Sequence, residues 1–185
     1  MTAWVIGFVA GVFGWTLLEY GLHRWVFHRS LFGRRAAREH LTHHARPDYF
    51  ASLRTKLALA AMVLAPIVAV CVLAMGVSLG TSVPLGIVAG WLVYEVIHRR
   101  IHVAAPFGAY GRWARRHHLY HHFGRADRNH GVTTPLWDVV FGTLAAREKV
   151  RVPRTHAPKF PWLLEPATDA GPRIAPAFDG EYRIV

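Results

Sequence analysis

An all-α fold is what this sequence predicts: a multi-pass membrane helix bundle of about three spans, carrying a cytoplasmic histidine-rich helical cap. Three observations predict it. Long apolar runs open the chain and return after residue 56. Thirteen histidines are present, most of them in tight clusters at or beyond the ends of those runs. All 22 Lys and Arg lie in two stretches beside the clusters, 8 within Arg24–Lys56 and 14 from Arg99 onward. Apolar residues make up 52% against 18% charged, with a mean hydropathy of +0.19, which leans away from an ordinary soluble domain. A net charge of +11 fits a nucleic-acid binder, yet such a module has no use for long apolar runs, and that class is excluded. Cys71 is the single cysteine, which rules out an intrachain disulfide and a cysteine-ligated iron–sulfur cluster.

Thr2–Leu22 is apolar apart from Glu19, and roughly 20 such residues span a bilayer. A signal peptide competes for this run. No Lys or Arg precedes it and no small-residue cleavage site follows it, so a span is expected. Arg24–Lys56 is basic and rich in histidine. Leu57–Leu79 is the second apolar run, with Pro66 inside it, a residue that membrane helices tolerate as a kink. Gly80-Thr81-Ser82 reads as a tight turn, and Val83–Ile97 returns. That third run makes only about 22 Å of helix at 1.5 Å per residue, so helix is expected to continue through Ile101 at the membrane surface. Neither Met1–Ala3 nor the Gly80 turn carries a positive charge. The positive-inside rule therefore places the N-terminus outside and both histidine regions in the cytoplasm. Residues 1–149 read as the membrane domain and 150–185 as a tail holding six of the eleven prolines, a composition that resists regular structure.

On a helix, residues i+3 and i+4 share a face with i. His40, His43 and His44 satisfy this, His118, His121 and His122 repeat the pattern, and His98 and His102 form an i, i+4 pair. His23 and His28 stand five apart, about 140° round an ideal helix, and share a site only where the helix ends or bends. One such pair is a weak sign of metal. Ten histidines in four clusters, each at or just past the end of a span, differ in kind. Neutral imidazole suits Zn, Fe, Cu and Ni, and ten nitrogens are too many for one ion, so two metal ions with roughly five ligands each is the natural partition. A zincin needs His-Glu-x-x-His, and no histidine here is followed by Glu. A carboxylate di-iron bundle needs several Glu-x-x-His pairs, and Glu95–His98 is the one present. Glu19 and Glu95 precede His23 and His98 by four and three residues inside apolar runs, where an acid is costly and functional by default. Both are read as orienting an imidazole through its free N–H, the structural alternative being a protonated Glu bonded to a neighbouring helix. Nucleophilic catalysis finds no Gly-x-Ser-x-Gly turn, and Cys71 lies mid-membrane.

The boxes His23-x4-His28, His40-x2-His43-His44, His98-x3-His102 and His118-x2-His121-His122 resemble those of the membrane fatty acid hydroxylase and sterol desaturase superfamily. Trp15–His28 is similar to the first box of fatty acid 2-hydroxylases, and Asn129–Thr143 to the superfamily's closing motif. The likeness covers about residues 10–145. It implies a dinuclear, di-iron oxygenase of lipid that uses dioxygen and two electrons, with those ten histidines as ligands. Inserting oxygen into an unactivated C–H bond needs a redox-active metal. Zinc is not one, although it can occupy such imidazoles in a purified sample. Lipid acyl hydroxylation leads. Sterol or carotenoid hydroxylation or desaturation is the alternative within the superfamily, and a non-catalytic membrane haem or metal-binding protein the alternative outside it. Haem takes only two axial histidines and leaves most boxes unexplained. No cytochrome b5-like segment accompanies the boxes, so the expected partners are a lipid from the bilayer and a separate donor of ferredoxin or cytochrome type, with no nucleic acid. His117 and His130 fall outside the boxes and are not expected as ligands, and His156 reads as solvated. Asp138 is read as a cap or as an acceptor that orients a ligand, and Trp137 as a packing anchor. Arg112, Arg115 and Arg116 read either as holding a carboxylate or phosphate or as attracting anionic headgroups.

Overall fold

The structure, a computed structural model, describes residues 1–31, 34–145, 149–166 and 171–185. It is mostly helical: α1 (Thr2–Gly21), a π-helical turn (Leu22–Phe27), α2 (Arg34–Ala45), α3 (Leu53–Gly80), α4 (Ser82–Val103), α5 (Gly108–Phe123) and the short α6 (Leu136–Val140). Strands β1 (Val150–Val152) and β2 (Tyr182–Ile184) complete it, a small departure from the expected all-α fold. Two compact units result. The first holds residues 1–40 and 50–95, the second residues 41–49 and 96–185.

In the first unit, α1 packs on the first half of α4 through small residues spaced four apart, Gly7 and Gly11 against Ser82 and Gly86, with Gly90 against Trp15. A Cβ placed on Gly11 would lie 2.1 Å from the Val83 carbonyl, and one on Gly86 2.0 Å from the Phe8 carbonyl. Such faces let helix backbones approach closely where lipid leaves no hydrophobic drive between helices. Trp15 fills the next turn, its ring 5.7 Å from that of Tyr94. Among the described residues two helical stretches are long and apolar enough to cross a membrane, Thr2–Phe27 and Leu53–Gly80. The second begins at a cap, where the Ser52 hydroxyl accepts from the Thr55 amide at 3.2 Å. Its apolar side chains, among them Leu57, Met62, Val70 and Leu73, are exposed, as a lipid-facing helix requires. The reversal after it starts earlier than Gly80. Gly76 takes φ 72°, which glycine adopts at no steric cost, and Gly80 tucks against the backbone of Cys71 and Val72. Helix α4 runs unbroken to Val103, as the short third run demanded.

In the second unit, α5 lies against β1, which pairs in parallel with β2 in the register Val150↔Tyr182 and Val152↔Ile184. The described residues 150–166 and 171–185 of the stretch expected as an extended tail are folded. Short 3-10 turns at Ala157–Lys159, Pro161–Leu163 and Pro176–Phe178 bury Phe160, Leu163 and Phe178, and the Trp162 ring sits 5.5 Å from Phe178 and 6.1 Å from Tyr182. Aromatic contact, rather than a hydrogen-bonded lattice, orders this proline-rich stretch.

Candidate metal centre

Helix α5 presents His118 and His122 one turn apart, while α4 presents His98 and His102 with the same spacing. His43, near the end of α2, joins them. The ligand atoms of these five histidines all lie within 4.8 Å of one another, inside the second unit. Nε2 of His43 is 3.2 Å from Nε2 of His102, which is 3.0 Å from Nε2 of His118, which is 3.1 Å from Nε2 of His122. Hydrogen bonding cannot satisfy that series. A ring nitrogen carries one in-plane lone pair or one N–H, so His102 and His118 cannot each bond two neighbours through the same atom. A cation placed among the lone pairs resolves it, and the donor set suits a first-row transition metal.

The opposite ring nitrogens fix the tautomer. Nδ1 of His43 donates to the Tyr49 carbonyl at 2.8 Å, which leaves the lone pair on Nε2. Nδ1 of His121 donates to the Arg128 carbonyl at 2.7 Å, and its Nε2 faces Nε2 of His44 at 3.2 Å. His122 Nδ1 is buried with no hydrogen-bond partner among the described residues, consistent with an imidazole placed for its other nitrogen. Burial, aided by repulsion from neighbouring imidazoles, holds His102 and His122 well below the ordinary histidine value and so keeps them neutral and able to ligate.

In the first unit, Nε2 of His40 faces Nε2 of both His23 and His28, at 3.1 and 3.0 Å, the same unsatisfiable arrangement. The five-residue spacing works because Leu22–Phe27 is π-helical: the His28 amide bonds the His23 carbonyl, so residues five apart stack. Burial pushes the His28 imidazole down to about 4.

Glu19 is buried on α1 one turn before His23. The Glu95 carboxylate pairs with Lys56 and accepts from the Trp91 indole at 3.3 Å, so its partners are a cation and an indole. Asp138, fully buried, accepts from the amides of His130 and Gly131, from the Thr143 hydroxyl at 2.7 Å and from His117 at 3.1 Å, closing the loop after α5. Of the arginines considered for substrate, Arg112 pairs with Glu181, and Arg115 donates to the carbonyls of Arg100, Ala104 and Ala105. Sequence reasoning missed the carbonyls of Tyr49 and Arg128 as orienting groups, since backbone acceptors leave no trace in residue identity. Lys56 was the one legible omission, a cation at the mouth of an apolar run that holds Glu95 on another.

A family profile described as fatty acid hydroxylase matches residues 8–143. A dihydroceramide fatty acyl 2-hydroxylase of Arabidopsis thaliana is 34% identical over 158 residues, 82% of this chain and 62% of that protein. The human fatty acid 2-hydroxylase is 30% identical over 145 residues, 74% of this chain and 39% of its own. The solved structure of full-length scs7p, in which only the hydroxylase domain is visible, superposes with a TM-score of 0.65 at 28% identity, covering 78% of this chain and 57% of that one. The chain thus spans about three fifths or less of the length of these relatives. On the profile match, the relatives and the histidine geometry together, the chain belongs to the fatty acid hydroxylase family.

Proposed function

We propose that this protein is a membrane-bound di-iron oxygenase that hydroxylates a lipid acyl chain, with dioxygen as oxidant and electrons from a separate ferredoxin- or cytochrome-type donor. The observation that carries the reading is the series of mutually facing Nε2 atoms from His43 through His102 and His118 to His122. That set holds one ion together with His98. The other ion is assigned to the remaining boxes, with His23, His28 and His40 facing one another within the first unit.

Two iron ions would supply the redox-active centre that splitting dioxygen requires. One oxygen atom enters a C–H bond and the other leaves as water, consuming two electrons and two protons. The chain's own residues do the rest. The Tyr49 and Arg128 carbonyls hold His43 and His121 in the ligating tautomer. Burial of His43, His102 and His118 keeps bulk water from the ligands, and burial holds His102 and His122 below the ordinary histidine value and so neutral. The acyl chain is taken from the bilayer, and hydroxylation next to the carboxyl is the regiochemistry that the relatives' names favour. Three crossings, with α4 as the third, place the N-terminus outside and the histidines in the cytoplasm.

Expression in a bacterial host, followed by lipid mass spectrometry, tests the activity. Acyl chains heavier by one oxygen atom should appear with the wild type and vanish with His118→Ala. Hydroxylated lipid at wild-type level in the His118→Ala strain would overturn the reading.

A further inference from the structure

The C-terminal segment lies beyond the family match, which ends at residue 143. Within the second unit it touches each chain segment that carries the five-histidine set. At the end of α2, Nε2 of His156 donates to the Ala45 carbonyl at 3.2 Å and the Lys159 ammonium pairs with Asp48 at 2.5 Å. At α4, the Trp162 indole N–H donates to the His102 carbonyl at 3.1 Å, and the Phe160 ring stands 6.0 Å from the His102 imidazole. At α5, the Phe123 ring is 5.6 Å from His156 and 5.8 Å from Phe160, and the Arg115 guanidinium lies 5.4 Å over the Trp162 ring. Arg115 also donates to the Arg100 carbonyl in the last turn of α4 and to the Ala104 carbonyl just past its end. Phe160 and Leu163 are fully buried, so this is a packed junction and not a loose association.

We propose that residues 153–164 form a strap that positions the five-histidine set for its ion, with Trp162 and Phe160 as the positioning residues. The proposal rests on the metal reading above. His102 is central because its Nε2 faces both His43 and His118. The strap grips it twice, Trp162 at its carbonyl and Phe160 at its ring. No strap residue supplies a ligand atom. What the strap provides is an imidazole whose direction is set before the ion arrives, and supporting contacts of this kind decide how tightly a site holds metal.

The test uses the full chain in detergent, loaded with Co(II), whose visible absorption reports coordination geometry. A His23→Ala/His40→Ala background leaves the five-histidine set to be read alone. In that background Trp162→Phe, which keeps a ring and deletes the N–H, and Phe160→Leu should shift the Co(II) bands. Both should weaken Co(II) binding by about 10–100-fold in chelator competition. Val150→Ala, a buried change in β1 at a residue with no imidazole contact given above, should lower the melting temperature and leave both readouts unmoved. Should Trp162→Phe fail to fold by circular dichroism, Lys159→Met tests the α2 tie from the surface and should weaken binding in the same direction. Strap variants whose bands and affinity match the background protein overturn the proposal. A wild-type chain that takes up no Co(II) overturns the metal reading itself, a distinguishable result.

Discussion

Asp138→Asn keeps the size of this side chain but removes the charge and turns one acceptor into a donor that faces the donors already bound there. Breaking a buried pair in this way costs about 3–5 kcal/mol. Melting in detergent should therefore fall clearly, with His117 left buried against an amide. The pH dependence follows from the same hub. Burial pushes the Asp138 carboxyl up, yet the hydrogen bonds from His117, Thr143 and Gly131 outweigh it and hold the group below its ordinary 3.8. Its contribution is thus present above that value and lost as pH falls through it, and the gap between wild type and Asp138→Asn should narrow there. The histidines act higher on the scale. His28 is lowered from 6.5 to about 4, so the unfolded chain binds a proton that the folded chain refuses. Stability and bound metal should hold steady above the ordinary histidine value and decline between pH 6.5 and 4. Metal analysis across that range, alongside melting curves, checks it; retention unchanged at pH 4 would contradict it.

At the scale of elements, the histidine boxes were legible because α-helical spacing converts directly into a shared face. His118 and His122 duly point one way on α5. The pair His23 and His28 defeated that arithmetic, since five-residue spacing becomes a shared face only on a π turn, and the sequence carries no distinct mark of one. The proline-rich C-terminal segment was illegible for another reason. Its order comes from Phe160, Trp162, Phe178 and Tyr182 meeting across the fold, and no local period announces that. The packing of α1 on α4 makes a sharp prediction. Gly86→Leu would drive a side chain into the Phe8 carbonyl, and overpacking of this kind costs about 1–3 kcal/mol or more. Gly14, with no atom of its surroundings within 4 Å of an added Cβ, should accept Leu with little change. Equal melting temperatures for the two variants would refute the close approach of these helices.

For the whole molecule, charge placement made the membrane character readable, since all 22 basic residues avoid the apolar runs. The partition of the chain into two units was not readable, because α2 and α4 each belong to both. Topology has a direct check: a fluorescent protein fused after Val185 should glow in the cytoplasm, whereas a periplasm-dependent phosphatase fused before Met1 should be active. Metal content should approach two ions per chain and fall in His43→Ala. The strap has one further consequence, in time rather than space. Synthesis runs from the N-terminus, so every histidine of the five-membered set, through His122, has been made before Phe160 and Trp162. The growing chain therefore passes through an interval in which the ligands exist and the strap proposed to hold them does not, and an ion met in that interval faces imidazoles whose direction is not yet set.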